Sequence, residues 1–386
     1  IDVLYMTPIF QSNSCHKYDT TDYYQIDPSF GTTEDLKELV QKAHERGMKV
    51  VLDAVYNHTG REFFAFADIL ENGEKSKYRD WYFIDGFPLK SEWGEIPNFK
   101  CFGYYGGMPK LNLKNPEVEK YITDVACYWI KECDIDGWRL DVGDEISHFF
   151  WKNFRKAVKA VKKDMLIIGE IWHYAGDFLE GDEWDTVMNY PFYLNLIDLL
   201  ADEKITVSQF VQNLGYLKGR LHKNCYPLMW NLIDSHDTAR FLHLCNDNKK
   251  KQHLAAAFQL LLPGMPMIYY GDEYAMPGAN DPDCRRGMYW DEEYQDKEMY
   301  EWYKRLIQVR KSHACIVEGE LAGSVTEDEE GTIVLIRKNG EETIAMIFNC
   351  SSSAKKFNEY TQKYNLLTEN TFDGNVEGFD AAVIVL

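Results

Sequence analysis

"TTEDLKELVQKAHERGMKVVLDAV", residues 32–55, predicts an amphipathic helix followed at once by a short apolar strand. Thr32 and Asp35 have the spacing of a capping box at the start of the helix, and Gly47 suits its end. The run 48–55 is apolar on both faces, as a strand buried in a parallel sheet requires. A helix that leads directly into a buried strand indicates an α/β fold.

The same alternation of strand and helix continues along the chain. Further strands are predicted at 1–6, 135–141, 165–171, 185–189, 229–234 and 266–271. Further helices are predicted at 117–133, 149–163, 206–221, 249–262 and 298–312. Seven strands are one short of a (β/α)8 TIM barrel, so we expect the first strand and helix to lie upstream of Ile1. An open parallel sheet is the alternative.

Two stretches break this alternation. Residues 59–115 are long, aromatic and rich in Gly and Pro, which is typical of a rim built after a barrel strand. Near the C-terminus, "GTIVLIRKNGEETIAMIFN" (331–349) alternates like paired strands, and Asn339–Gly340 indicates a hairpin. The predicted domains are a barrel from 1–58 and 116–314, an inserted rim subdomain at 59–115 and a C-terminal all-β sandwich at 315–386.

Composition limits the classes of partner. The 386 residues are 45% hydrophobic and 27% charged, which is typical of a globular protein, and no run approaches the ~18–20 apolar residues of a membrane span. A net charge of −20 argues against a nucleic-acid partner, because like charges repel. The nine cysteines are odd in number and form no CxxC. Free thiols in a reducing compartment are therefore expected, and with no signal peptide recognisable we predict a cytoplasmic protein.

The stretch "DGWRLDVGDE" (136–145) places an arginine and an aspartate inside an apolar run. Arg139 and Asp141 are two residues apart, so in a strand they share a face. Buried charges are costly unless they are paired or used, and we expect Arg139 to keep Asp141 ionised. The C-terminal ends of barrel strands gather catalytic groups, and acids fall at other such ends. These acids are Asp53, Glu170 and Asp237.

Two carboxyl groups suffice to cleave a glycosidic bond. One carboxylate attacks the anomeric carbon while a carboxylic acid protonates the leaving oxygen. Asp141, beside Arg139, suits the ionised role. Glu170 is predicted to lie in a less charged, partly desolvated setting with Trp172 close by, which suits the acid. Asp237 would hold sugar hydroxyls and favour the oxocarbenium-like transition state.

Histidines and aromatic residues extend this hypothesis. His58 and His236 adjoin acid-bearing strand ends, where neutral imidazoles would hydrogen-bond sugar hydroxyls. A metal cluster of His16, His58, His236 and Asp237 is the alternative, although no HxH or HExxH spacing occurs. Tyr18 and Trp172 are predicted to stack on sugars because they adjoin other candidates. Further aromatic candidates, most of them expected to pack in the core or on the surface, are Trp81, Trp93, Phe102, Tyr104, Tyr105 and Trp290.

Four motifs together resemble the signature regions of the α-amylase family of glycoside hydrolases, in that family's order. They are "DAVYNH" (53–58), "GWRLDV" (137–142), "GEIW" (169–172) and "LIDSHD" (232–237). "HKYDTTDYYQIDPSFGT" (16–32) and "GMPMIYYGDE" (264–273) resemble the segment after its second strand and its eighth strand. "MPKLN" (108–112) and "NDPDCRRGMYWD" (280–291) resemble the branch of neopullulanases, cyclomaltodextrinases and maltogenic amylases.

The resemblance implies a role for each matching residue. Asp141 would be the nucleophile, Glu170 the general acid/base and Asp237 the transition-state stabiliser, with the two reacting carboxyls ~5–5.5 Å apart as in retaining enzymes. Arg139 would orient Asp141. The −1 sugar site would be lined by Tyr18, His58 and His236, the rim supported by Asp53 and Asn57, and the glycone end formed by Asp281 and Arg285.

The resemblance also implies an activity. We expect a retaining hydrolase of α-1,4 glucosidic bonds, with α-1,6 bonds as a further option, in maltodextrins, cyclodextrins, pullulan or starch. The alternatives are a transglycosylase on the same substrates and a non-catalytic amylase-like binding protein. No cofactor is expected to be required; the alternative is calcium, with Asn57 as a ligand. Members of this branch usually carry an N-terminal β domain, and if it is present in the full protein a homodimer is expected.

One local difference from the branch concerns the residues after Asp141 and Val142. Relatives in the branch commonly read Ala-Asn-Glu there, whereas this chain reads Gly143-Asp144-Glu145. We expect this difference to affect specificity on the acceptor side and to leave the chemistry unchanged.

Overall fold

The computed structural model describes residues 1–90, 94–222 and 224–386, which form two compact units. The first unit contains residues 1–171 and 177–187, and the second contains 172–176 and 188–386. The strands are β1 Val3–Met6, β2 Phe10–Ser12, β3 Thr20–Ile26, β4 Lys49–Ala54, β5 Gly137–Leu140, β6 Leu166–Gly169, β7 Thr186–Val187, β8 Trp230–Asn231, β9 Met265–Pro266, β10 Glu320–Glu327, β11 Thr332–Asn339, β12 Glu342–Asn349, β13 Lys355–Lys356, β14 Tyr364–Asn365, β15 Asn370–Thr371, β16 Asn375–Val376 and β17 Asp380–Val385. The α-helices are α1 Thr33–Glu45, α2 Phe64–Asn72, α3 Pro116–Cys133, α4 His148–Val161, α5 Tyr190–Leu196, α6 Val207–Arg220, α7 Phe241–Leu244, α8 Lys249–Leu261, α9 Lys297–Ser312 and α10 Ala314–Glu318.

The first unit contains a parallel sheet with the strand order β1-β4-β5-β6-β7. Helices α1, α3 and α4 lie between successive strands of the chain, as predicted. The predicted capping box is confirmed: the Asp35 amide donates to Thr32 Oγ1, and the Thr32 amide donates to the Asp35 carboxylate at 2.7 Å. The predicted strand at 185–189 is shorter than expected, since only Thr186–Val187 pairs with β6.

A buried acid at the N-terminal end of β5 forms hydrogen bonds that stabilise this sheet. Asp136, just before β5, accepts hydrogen bonds from the Val50 amide at 2.9 Å and from Lys162 at 3.0 Å, and His44 Nε2 lies 2.7 Å away. Burial raises its pKa, but the bonds from His44, Val50 and Lys162 outweigh burial and lower the pKa of Asp136 to about 2. The ionised carboxylate is therefore a stabilising group.

Asp136→Asn is expected to lower the free energy of unfolding by about 2 kcal/mol at neutral pH. Because the pKa is lower in the folded state, this contribution is complete above about pH 4 and is lost as the pH falls towards 2. Urea unfolding of wild type and variant at several pH values measures the difference. Asp80→Asn, at an exposed acid, is the control and should change little. A difference that persists unchanged near pH 2 would contradict this role.

The segment 59–115 contains a helix, α2, that was not predicted from the sequence. Helix α2 begins after Phe63, which provides no side-chain cap, so the usual start signal is missing. Trp81 is buried and donates through Nε1 to Glu117, so it packs rather than facing solvent. Trp93 lies outside the described residues.

The second unit continues the parallel pattern with β8 and β9. Both strands lie where they were predicted, but each has only two residues, and β9 starts at Met265 instead of 266. Pro266 has no N–H to extend the ladder, which contributes to the short strand. Helices α6, α8 and α9 match the predicted helices, whereas α5, α7 and α10 were not predicted.

The C-terminal part of the second unit is an antiparallel sheet with the order β10-β11-β12-β17-β14-β15. The predicted hairpin is confirmed, since Asn339 pairs with Glu342 across Gly340, whose φ is 59°. One face of the sheet packs with the pair β13-β16, which makes the second layer of the predicted sandwich only two strands wide. The other face packs on helices, and Phe348 stacks on Phe258 of α8 with ring centroids 4.3 Å apart.

The predicted domain limits at 58/59, 115/116 and 314/315 remain predictions. Within the described residues, no helix combines the length and apolar character needed to cross a membrane.

Candidate active site

Neighbouring strands bring the predicted acids of the first unit to one edge of the sheet. Asp53 of β4 pairs in register with Arg139 of β5, and Asp141 and Glu170 directly follow β5 and β6. The ladder continues past the strand ends, because the Asp141 amide donates to Ala54 O at 3.1 Å and the Glu170 amide donates to Leu140 O at 3.0 Å. Backbone pairing therefore fixes where each acid leaves the sheet.

Arg139 binds three carboxylates at once. Its Nη1 donates to Asp53 Oδ1 at 3.1 Å and to Asp141 Oδ1 at 2.9 Å, and its Nη2 lies 3.0 Å from Glu170 Oε2. The guanidinium is fully buried. The predicted pairing of Arg139 with Asp141 is confirmed, and the same cation also holds the other two acids.

The side chain of Asp53 supports Arg139 instead of facing a ligand. Tyr5 and Tyr18 donate their hydroxyls to Asp53 Oδ2 at 2.6 and 2.9 Å, and both carboxylate oxygens also accept from Arg139. Asp53 is only 2% exposed. Tyr5 was not predicted; the available signal was a hydroxyl-bearing residue within the apolar strand "VLYM".

The surroundings of Glu170 differ from the prediction. A less charged setting was expected, but Oε2 is 3.0 Å from Arg139 Nη2 and also accepts from the Val142 amide at 2.9 Å. The side chain is 9% exposed, so the predicted desolvation is present. Because β5 and β6 are adjacent, the arginine of one strand end reaches the acid of the next, which local sequence does not reveal.

Burial raises the pKa of Asp141 well above its usual range; Arg139 opposes this rise, and the carboxylates of Glu170 and Asp53 reinforce it. The expectation that Arg139 keeps Asp141 ionised stays a prediction: the guanidinium favours the charged form, while burial and the two neighbouring carboxylates oppose it. A proton held within the cluster relieves the repulsion. A proton on one carboxyl leaves its neighbour ionised, which is the state that acid-plus-nucleophile chemistry requires.

His58 lies against Tyr18 at the same edge. Its Nε2 lies 3.0 Å from the Tyr18 carbonyl, so this nitrogen carries the proton and donates. Its ring stacks on Phe102 with centroids 5.0 Å apart. Burial lowers the pKa of His58 to about 4, which makes the imidazole neutral at pH 7, as the sequence hypothesis required.

The second unit brings together four of the remaining predicted residues. His236 Nε2 lies 3.1 Å from Asp237 Oδ2, and Arg285 Nη2 lies 3.5 Å from Asp237 Oδ1. Arg285 Nε also donates to the His236 carbonyl at 2.8 Å and lies 3.2 Å from Asp281 Oδ1. Asp237 is partly exposed, so its carboxylate is accessible to a ligand.

Trp172 is 40% exposed and stacks on Tyr190, with centroids 4.0 Å apart and planes 13° from parallel. The Tyr190 hydroxyl lies 3.3 Å from Ser235 Oγ, and the Asp237 amide donates to the same Ser235 oxygen at 3.2 Å. The tryptophan and the acid are thus connected through two buried side chains. Tyr190 and Ser235 were not among the predicted residues.

A group of buried charged side chains that was not predicted includes Asp234 and Arg240, which lie on either side of Asp237 in the sequence. Asp234 and Asp272 are both buried, and Arg240 donates to Asp272 Oδ1 at 3.1 Å. Burial first, and then the charge of Asp234, raises the pKa of Asp272, because neighbouring buried carboxylates repel each other. This network anchors the chain between β8 and Asp237.

The residues around Asn57 do not fit a calcium site. Asn57 Nδ2 donates to Glu145 Oε2 at 3.2 Å, and Lys110 Nζ donates to the same oxygen at 2.7 Å and to the Glu145 carbonyl at 3.1 Å. Calcium takes 6–8 oxygen ligands. Within the described residues, no group of three or more His, Cys, Asp or Glu side chains is arranged to hold a metal, and this includes the alternative cluster of His16, His58, His236 and Asp237.

Residues 1–296 match the catalytic domain of α-amylases. The chain belongs to the α-amylase family. It is 48% identical, over 91% of its length, to a cyclomaltodextrinase from Geobacillus thermopakistaniensis (strain MAS1), of which it covers 59%. It is 43% identical, over 90% of its length, to an intracellular maltogenic amylase from Bacillus subtilis, of which it covers 59%. The chain therefore spans about three fifths of the length of these curated relatives.

A solved cyclomaltodextrinase structure matches the whole chain with a TM-score of 0.95 and 39% identity, and the chain covers 68% of that structure. Together with the parallel strands and the C-terminal antiparallel sheet, these matches confirm the predicted fold class, a TIM barrel with a C-terminal all-β domain. The names of the relatives confirm the predicted branch.

Proposed function

We propose that this family member is a retaining hydrolase of α-1,4 glucosidic bonds, and also of α-1,6 bonds, in maltodextrins, cyclodextrins, pullulan or starch. The observation that carries the proposal is the guanidinium of Arg139, which holds Asp141 and Glu170 at 2.9 and 3.0 Å from its two nitrogens. Two carboxyls on one guanidinium favour the short separation, ~5–5.5 Å, of retaining enzymes.

In the first step, Asp141 attacks the anomeric carbon as the glycosidic C–O bond breaks and Glu170 gives its proton to the leaving oxygen. In the second step, the Glu170 carboxylate takes a proton from water. The water oxygen then attacks the same carbon and releases Asp141. Two inversions give net retention. By family resemblance Asp237 stabilises the cationic transition state, with His236, Arg285 and Asp281 around it.

Product analysis tests the proposal. The protein is incubated with cyclodextrin, pullulan and starch, the products are separated by chromatography, and the first anomer formed is identified by NMR. We expect an α-anomer, with cyclodextrin or pullulan cleaved faster than starch. A β-anomer as first product would refute retention. Products longer than the substrate would identify transglycosylation. No cleavage of any substrate would favour the alternative of a non-catalytic binding protein.

We also propose that the protein needs no metal. The supporting contact is the Lys110 ammonium, which supplies a positive charge to Glu145 beside Asn57. EDTA treatment is expected to leave activity and the melting temperature unchanged. Lys110→Ala is expected to lower the free energy of unfolding by about 1 kcal/mol. A rise of several degrees in the wild-type melting temperature on adding calcium would contradict this proposal.

We propose a cytoplasmic location, supported by nine free thiols and by the intracellular relative. No membrane or nucleic-acid partner is proposed, in keeping with the net charge of −20.

A homodimer is proposed for a full-length protein with an N-terminal domain. Sedimentation of that protein, with a monomer as the contradicting result, tests it.

A further inference from the structure

Trp184 lies against the backbone next to both reacting carboxyls of the first unit. Its indole is 1% exposed and is stacked on the ring of Phe178, with the centroids 4.0 Å apart and the planes 5° from parallel. Trp151 meets it edge-on at 6.0 Å. These contacts leave the indole no room to turn or withdraw.

Two glycines provide the surface on which this indole rests. A Cβ atom on Gly169 would lie 2.2 Å from Trp184 Cε3, and a Cβ on Gly143 would lie 2.8 Å from Cζ2. Gly169 directly precedes Glu170, and Gly143 follows Asp141 by two residues. The same six-membered ring therefore touches the chain beside the proposed acid/base and beside the proposed nucleophile.

Backbone strain does not explain Gly143. Its φ lies outside the left-handed region, so alanine could adopt this backbone without a conformational penalty. Space is the restriction, because the nearest atoms to an added Cβ belong to a rigid, stacked ring. The presence of glycine at position 143 is thus explained by the size of residue 184.

The backbone of Val142 and Gly143 connects this packing to Glu170. The Val142 amide donates to Glu170 Oε2 at 2.9 Å, and the Gly143 amide donates to the Glu170 carbonyl at 3.2 Å. The Gly143 carbonyl accepts from Trp151 Nε1 at 2.8 Å. Moving Gly143 away from Trp184 would therefore move the donor that holds the Glu170 carboxylate.

We propose that Gly143 and Trp184 are a size-matched pair of positioning residues that sets the carboxylate of Glu170 relative to Asp141. This inference rests on the proposed function, since it assigns the pair to the acid/base of that reaction. The expectation that the difference at Gly143-Asp144-Glu145 affects the acceptor side stays a prediction; Gly143 itself is buried against Trp184.

Gly143→Ala tests the proposal. With maltodextrin as substrate, kcat/KM is expected to fall about 10²-fold, the loss that a displacement of ~1 Å causes at a reacting group. With α-maltosyl fluoride the fall should be much smaller, because fluoride leaves with little help from a proton donor. The basic limb of the pH profile, which reports the proton donor, should shift for maltodextrin, while KM changes little.

Trp184→Phe provides the decisive rescue. It removes part of the ring that meets Gly143 and also an indole N–H that is buried with no hydrogen-bond partner among the described residues. The double variant Gly143→Ala/Trp184→Phe is expected to recover most of the lost rate on maltodextrin. Gly215→Ala, where an added Cβ meets nothing within 4 Å, is the matched glycine control and should behave as wild type.

The outcomes separate this inference from the proposed function. The proposed pairing would be rejected if Gly143→Ala lost activity equally on both substrates or kept the wild-type rate. It would also be rejected if the double variant were no more active than Gly143→Ala. The proposed function would then still stand if Glu170→Gln, measured alongside, loses activity selectively on maltodextrin. Full activity of Glu170→Gln would instead overturn the proposed function.

Discussion

Glu170→Gln is expected to lower kcat/KM on maltodextrin about 10²–10⁴-fold, the usual contribution of a general acid or base. The amide is nearly the same size, and its oxygen can still lie beside Arg139 and accept from the Val142 amide, so the loss reports on the proton. The glycosidic oxygen then leaves unprotonated, which raises the barrier of the first step. With α-maltosyl fluoride the first step should remain within about tenfold of wild type.

Glu183→Gln is the matched control for this variant. Glu183 is also buried, at 2% exposure, and also contacts a basic side chain, His148, at 2.9 Å. Losing a buried carboxyl there is expected to affect stability and leave the substrate preference unchanged. Equal sensitivity of both substrates to Glu170→Gln would count against Glu170 as the proton donor.

Arg139→Met is expected to lower the free energy of unfolding by about 3–5 kcal/mol at pH 7, because three buried carboxylates lose the cation that they share. Activity should fall at least about 10²-fold, since Asp141 and Glu170 lose their common support. Stability should recover partly as the pH falls. A carboxyl with a raised pKa in the folded state, as in Asp141, costs stability above that pKa and stops doing so once it is protonated.

Two further variants sharpen this test. Arg139→Met/Asp53→Asn removes one negative charge along with the cation and should be more stable at pH 7 than Arg139→Met. The stability of Arg139→Lys should lie between those of Arg139→Met and wild type. Its ammonium is a point charge and cannot replace a planar guanidinium that contacts carboxylates through both terminal nitrogens. Denaturant unfolding from pH 4 to 8 measures all of them. Stability of Arg139→Met that rises with pH would contradict the electrostatic explanation.

Local sequence signals were sufficient for the parts of the fold with a regular period. The helix and strand in 32–55 were readable because capping residues and apolar spacing act over a few positions. Helix α2 was missed because Phe63, the residue before it, provides no capping side chain. The short β9 was overextended because an apolar run does not show where backbone pairing stops.

The candidate site could be predicted only in part, because local sequence does not show contacts between distant positions. Arg139 and Asp141 share a face through their spacing alone, but Tyr5 reaches Asp53 across 48 positions of the chain. The contact between Arg139 and Glu170 also depends on which strands are neighbours. Family motifs supplied the acids, whereas the packing that orients them became visible only in three dimensions.

The stack of Phe258 on Phe348 has an evolutionary consequence. Helix α8 and the C-terminal sheet contribute to one continuous apolar cluster, so neither would find its partner surface in an unrelated protein. Exchange of the C-terminal sheet between relatives therefore requires that its apolar face match the helix on which it packs. Substitutions at the two phenylalanines should therefore co-vary in lineages, as do the residues of an obligate interface.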